Sequence, residues 1–143
     1  SAWAARAKAA HQRPDQALFG ICQGGVDEAM RAESAQRTAE VGFDGYGIGG
    51  LSVGETRAEM LPALAAAIEH LPADRPRYLM GVGDPASLVE AVALGVDQFL
   101  FACEERVARG AYLYADLVHR GACLERVTTG ARHRGLLILR MNA

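Results

Sequence analysis

Short apolar runs alternate with longer amphipathic ones along the first hundred residues. "ALFGIC" (17–22), "GYGIG" (45–49), "RYLMGVG" (77–83) and "VDQFLFA" (96–102) are apolar runs of strand length, and predict strands near 17–22, 45–49, 77–82 and 96–101. Helical patterns fill the gaps: about 26–40, then "TRAEMLPALAAAIEHL", then "DPASLVEAVALG". Thr56 and Glu59 have the spacing of a capping box. Leu61, Leu64, Ile68 and Leu71 step by three, four and three, which makes one apolar face. Asp84 is placed as an N-cap, Pro85 in the first turn and Gly95 just beyond the last. The Ala-rich start predicts a further helix, and beyond residue 102 no period is firm.

Repeating βα units imply an α/β fold, a parallel sheet with helical crossovers. Four units suit a small doubly wound sheet or half of a (β/α)8 barrel, whose full form takes about 250 residues. The chain opens mid-pattern on a helix, which favours half a barrel. Four strands would leave two open edges. In either architecture ligands bind at the C-terminal strand ends. Those ends read "CQGG", "GIGGLSVGE", "MGVGDP" and "FLFACEER", and should converge on one rim.

Composition narrows the class. Half of the 143 residues are hydrophobic, as in a globular chain. The longest apolar runs are too short for a membrane, and the N-terminus lacks the apolar stretch of a signal peptide. Cys22, Cys103 and Cys123 form no CxxC, so a reduced, cytoplasmic chain without zinc is expected. The net charge of −2 divides unevenly: residues 1–100 carry −5 and residues 101–143 carry +3. The C-terminal third is either a phosphate-facing surface or an ordinary solvated face.

Each strand end has a functional and a plain reading. Gln23 offers a primary amide, suited to a nucleobase edge or to capping a loop. Gly49 and Gly50 would bare backbone to a planar ligand or to phosphate, although no Lys or Arg lies between Val41 and Thr56. Met80 ends its strand with a thioether that would pack on an aromatic face, or in the core. Glu55 reads as a first-turn helix acid. Gly81 to Ser87 leads into a helix N-terminus, which favours anions. Arg106 and Arg109 share a face if helical.

Three stretches, "ALFGICQGGVDEAMRAESA", "GFDGYGIGGLSVGE" and "PRYLMGVGDPASLVEAVALGVDQF", resemble the tRNA-guanine transglycosylases. The resemblance is nearly gap-free from Ala17 to Phe99. It implies a (β/α)8 barrel with a zinc-binding insertion, exchanging guanine at the tRNA wobble position for 7-aminomethyl-7-deazaguanine on the way to queuosine. The implied chemistry is attack by an aspartate on ribose C1′, then capture of the covalent intermediate by the new base. Carried over residue by residue, Gln23, Gly49 and Gly50 would hold the base edge and Met80 its ring. The Leu51–Ser52 peptide would face the 7-position, in an orientation stabilised by Glu55, and Val53 resembles the bacterial form. The implied tRNA contacts are Gly81, Val82, Gly83, Asp84, Pro85, Ala86 and Ser87, with Arg106 and Arg109. The implied partners are the anticodon arm of tRNA, a guanine or 7-deazaguanine base and, for the full-length protein, a second copy; no membrane is implied.

The chain departs from that pattern where the family reads roughly "FDCVLPTRxAR" and this sequence reads "FLFACEERVAR". The nucleophile position falls on Leu100, so no catalytic residue is retained. Asp97, three residues back, should face the other way. The zinc ligands are absent too, so no cofactor is expected here. Residues 1–102 are thus expected to be the C-terminal half of such a barrel, with 103–143 a divergent basic tail. The chain alone is expected to be inactive. A non-catalytic tRNA-binding or partner subunit, and an unrelated phosphate-binding barrel enzyme, are the alternatives.

Overall fold

A computed structural model describes residues 2–102 and the strands 122–127 and 136–141. The elements run α1 (Ala2–Ala10), β1 (Phe19–Cys22), α2 (Glu28–Val41), β2 (Gly45–Ile48), α3 (Arg57–Ile68), β3 (Arg77–Met80), α4 (Pro85–Leu94), β4 (Gln98–Ala102), β5 (Ala122–Val127) and β6 (Leu136–Met141).

The helices begin where their caps dictate. Asp27 accepts the Met30 N–H at 2.9 Å, and Asp84 accepts that of Ser87 at 3.0 Å. Thr56 and Glu59 close the capping box, with the Thr56 N–H donating to Glu59 Oε2 at 2.8 Å. Gly95 takes the left-handed conformation, φ 103°, that ends α4.

Strands β1 to β4 pair in parallel and in chain order, as the alternating pattern predicts. One register row is Cys22, Ile48, Leu79 and Phe99, and all four are fully buried. Against that core pack α2, α3 and α4, side by side. The neighbouring row is Ile21, Gly47, Tyr78 and Gln98. It faces the opposite way, and Ile21 there is 49% exposed. Helices on one face and a sequential strand order make a singly wound sheet. That arrangement is consistent with part of a barrel, and a doubly wound sheet would carry helices on both faces.

The structure corrects the expectation in three places. The sheet is not purely parallel: β6 pairs antiparallel with β4, and β5 with β6, giving the order β1-β2-β3-β4-β6-β5. The hairpin supplies partners for the β4 backbone groups that would otherwise form an open edge. The buried face of α3 is Met60, Ala63, Leu64 and Ala67, while Leu61 and Ile68 lie at its margin. Leu64 and Leu71 are buried as the pattern predicts, and the two small residues Ala63 and Ala67 complete the face against α2. The third strand ends at Met80, where Gly81 turns the chain at φ 78°.

Two aspartates tie the strand starts together. Asp44 accepts the Leu18 N–H at 2.8 Å, and Asp97 accepts the Arg77 N–H at 2.8 Å. No helix among the described residues is long and apolar enough to cross a membrane.

Candidate functional site

Gln23, Gly49 and Gly50 meet at the C-terminal ends of β1 and β2. The Gln23 N–H donates to Ser34 Oγ at 3.0 Å, which anchors its backbone to α2. Its amide lies against the glycines: a Cβ on Gly49 would stand 2.7 Å from Gln23 Nε2, and one on Gly50 2.7 Å from Oε1. Gly50 also holds φ 68°. The two glycines are therefore bare for a spatial reason, since any side chain there would displace the Gln23 amide.

Beneath them lies Arg31, which sequence reasoning missed. It is 0% exposed. Nε donates to the Gly25 carbonyl at 2.7 Å, one terminal nitrogen to that of Gly49 at 2.7 Å, and the other to that of Gly50 at 2.9 Å. The guanidinium thus cross-links the loop that follows β1 to the loop that follows β2. Burial lowers its pKa, partly offset by Cys22 and Glu55. Burial in turn pushes the Cys22 thiol up, opposed by a hydrogen bond with Thr38 and by Arg31. Arg31 left little signal because its partners are backbone carbonyls, which any residue supplies.

Met80 does not join the core row. It lies beside Gly47 on the open face, where a Cβ on Gly47 would be 3.5 Å from both Met80 Sδ and Ile21 Cγ1. A flat ligand lying along this face would have Met80 and Ile21 for contact.

The second loop continues past the glycines. Leu51 plants its side chain in the core and Val53 is 82% exposed. Both carboxylate oxygens of Glu55 lie 3.2 Å from the Val53 N–H. Glu55 therefore holds the Ser52–Val53 peptide, one residue beyond the Leu51–Ser52 peptide expected to be its partner. Ser52 Oγ packs so tightly on Gly81 that a Cβ there would overlap it. Leu51, Ser52 and Glu55 line a cleft of about 470 Å³ together with Gly81, Val82, Gly83, Asp84 and Ser87. Pro85 and Ala86 open α4 next to it. The expected base-facing and tRNA-facing stretches are thus adjacent.

Leu100 is opposite Met80 in the parallel register and opposite Ile138 in the antiparallel one. Arg106 and Arg109 lie outside the described residues. Among the described residues no three His, Cys, Asp or Glu side chains converge to hold a metal.

The fold and this rim define a class: singly wound α/β proteins whose strand ends carry bare glycine backbone. The sequence model of the Queuine tRNA-ribosyltransferase family matches residues 1–135, and the chain belongs to that family of transferases. Similar proteins include the queuine tRNA-ribosyltransferases of Methylobacillus flagellatus and Thiobacillus denitrificans, each 55% identical over 112 residues. That of Saccharophagus degradans is 52% identical over the same length. Each alignment covers 78% of this chain and 30% of the relative.

Proposed function

We propose that this chain forms the base-recognition part of a tRNA-guanine transglycosylase, the enzyme that replaces guanine at the wobble position by a 7-deazaguanine. The observation that carries the reading is the Gln23 amide laid over Gly49 and Gly50, which are held from beneath by Arg31. Gln23 and the Gly50 backbone would bind the base edge, and Met80 would lie on the ring. Guanine offers an acceptor at N7, whereas the aminomethyl base offers a cationic donor there. A Leu51–Ser52 peptide that turns over would serve both. Glu55 would favour one orientation through its grip on the next peptide. The anticodon arm would run across the cleft beside Gly81 and Ser87, and Arg106 and Arg109 are proposed as further contacts to it. A cytoplasmic setting follows from this substrate.

The chain alone would not exchange bases. Attack at C1′ needs a carboxylate where Leu100 stands, and an alkyl side chain has no lone pair to give. The same residue favours a second reading, a non-catalytic tRNA-binding or partner subunit of the family. A phosphate-binding role is less well supported, because Arg31, buried under the glycine loop, spends donors on three carbonyls.

Titration of the 143-residue chain with guanine, inorganic phosphate and an anticodon stem-loop tests these readings. Guanine binding supports the first, stem-loop binding without guanine binding supports the second, and phosphate binding alone rejects both.

A further inference from the structure

A guanidinium has five N–H donors and no acceptor. Arg31 aims three of them at carbonyls in two loops, and it is wholly buried while doing so. The consequence for the rim is one of polarity. A free strand end shows a ligand both N–H and C=O groups. Here the Gly49 and Gly50 carbonyls are turned inward and occupied. The Gly49 N–H is also used, donating to the Cys22 carbonyl at 3.1 Å. Among the described residues nothing accepts the Gly50 N–H, and that group remains for a ligand. Beside it stands the Gln23 amide, which can donate or accept and so does not itself choose.

We infer that Arg31 is a positioning residue that makes the Gly49–Gly50 strand end donor-only, and thereby sets its preference for a base bearing a carbonyl oxygen rather than an amino group at the six-position. This rests on the purine reading above. A 6-oxo group accepts from the Gly50 N–H. A 6-amino group would bring its own donors against that N–H and find no free carbonyl, leaving buried polar groups unpaired, the condition under which sites discriminate strongly. Releasing the two carbonyls would remove the discrimination. The same guanidinium holds the Gly25 carbonyl, and so fixes the turn that follows Gln23.

The test compares guanine with 2,6-diaminopurine, which carries an amino group at the six-position and, with it, an unprotonated N1; the Arg31-dependent part of the preference is what reports on the Gly50 N–H. Both are titrated against the 143-residue chain and against Arg31→Lys, whose ammonium keeps the charge but not the planar fork. The expected result is a preference for guanine of about tenfold or more in the parent, the equivalent of one unpaired hydrogen bond. In Arg31→Lys the preference should fall to about threefold or less. A merely structural role would weaken both bases in proportion, and an unchanged ratio would overturn the inference. A second measurement needs no variant. In the 15N-labelled parent chain, the Gly50 amide resonance should move with guanine and stay with 2,6-diaminopurine. Equal movement with both would overturn the inference even if Arg31→Lys does not fold. If the parent binds neither base, the purine reading fails and takes the inference with it. If it binds guanine without preference, only the inference fails.

Discussion

Asp97 reaches back to Arg77. Its Oδ2 accepts the Arg77 N–H at 2.8 Å and lies 3.3 Å from Nε. This pair closes the sheet at the strand starts, whereas the glycine rim lies at the strand ends. The carboxylate nearest before Leu100 is therefore committed to the wrong end of the molecule.

The first prediction follows from that commitment. The purified chain, incubated with tRNA and labelled guanine, should incorporate no label above background. Asp97→Asn should leave that blank result unchanged but lower the urea midpoint, because a hydrogen bond to a charged group is worth roughly 1.5–3 kcal/mol. Incorporation by the parent that disappears in Asp97→Asn would mean that Asp97 is the nucleophile after all. Leu100→Asp alone should not restore exchange, since the chain aligns with only 30% of the length of its relatives.

Gln23→Ala should weaken guanine binding by about 0.5–1.5 kcal/mol for each hydrogen bond lost. Folding should be nearly unaffected, because the bond from Gln23 to Ser34 is made by the backbone. Calorimetric titration beside a thermal melt separates the two effects. Equal base affinity in both proteins would remove Gln23 from the site.

Gly50 and Gly25 make a controlled pair. Both hold left-handed backbone, φ 68° and 58°, so an alanine at either costs about 1–2 kcal/mol of conformational energy. A Cβ on Gly25 meets nothing within 4 Å, while one on Gly50 meets Gln23 Oε1. Gly50→Ala should therefore abolish guanine binding at a stability loss similar to that of Gly25→Ala, which should still bind. Indistinguishable titration curves for the two variants would contradict the spatial account of the glycines.

Stability should decline in acid partly through Asp44. The Leu18 N–H holds its pKa below the ordinary 3.8. A lowered folded value means that the stabilisation is complete above about 3.8 and is lost as pH falls through the folded value. Urea midpoints of the parent should drop more steeply below that pH than those of Asp44→Asn. Parallel curves would show that the hydrogen bond carries no proton linkage.

Much of this fold could be read from local chemistry. Thr56 and Asp84 announce their helices because a cap is a one-residue signal read over a single turn. The strand ends were legible because glycines interrupt apolar runs there. Leu64 and Leu71 read correctly, whereas Leu61 and Ile68 misled, since the buried face is rotated towards Met60, Ala63 and Ala67. The β5–β6 hairpin gave no firm period, and its attachment to β4 is long-range, joining residues such as Leu100 and Ile138. Arg31 was invisible for a related reason. On an isolated helix one arginine among polar residues reads as solvated, and only the tertiary fold brings three carbonyls to it.

The antiparallel strand against β4 gives the sheet a direction of growth. A parallel ladder propagates by adding one βα unit beside another, and β4 has already given its outer groups to a strand of opposite sense. Among the described strands the open edges are β1 and β5, and β1 is the one that directly continues the parallel ladder. A partner that extends the parallel ladder directly would therefore dock at Phe19 to Cys22, immediately before Gln23. Extension of the ladder and extension of the glycine rim would then be one event, reported by the same residues.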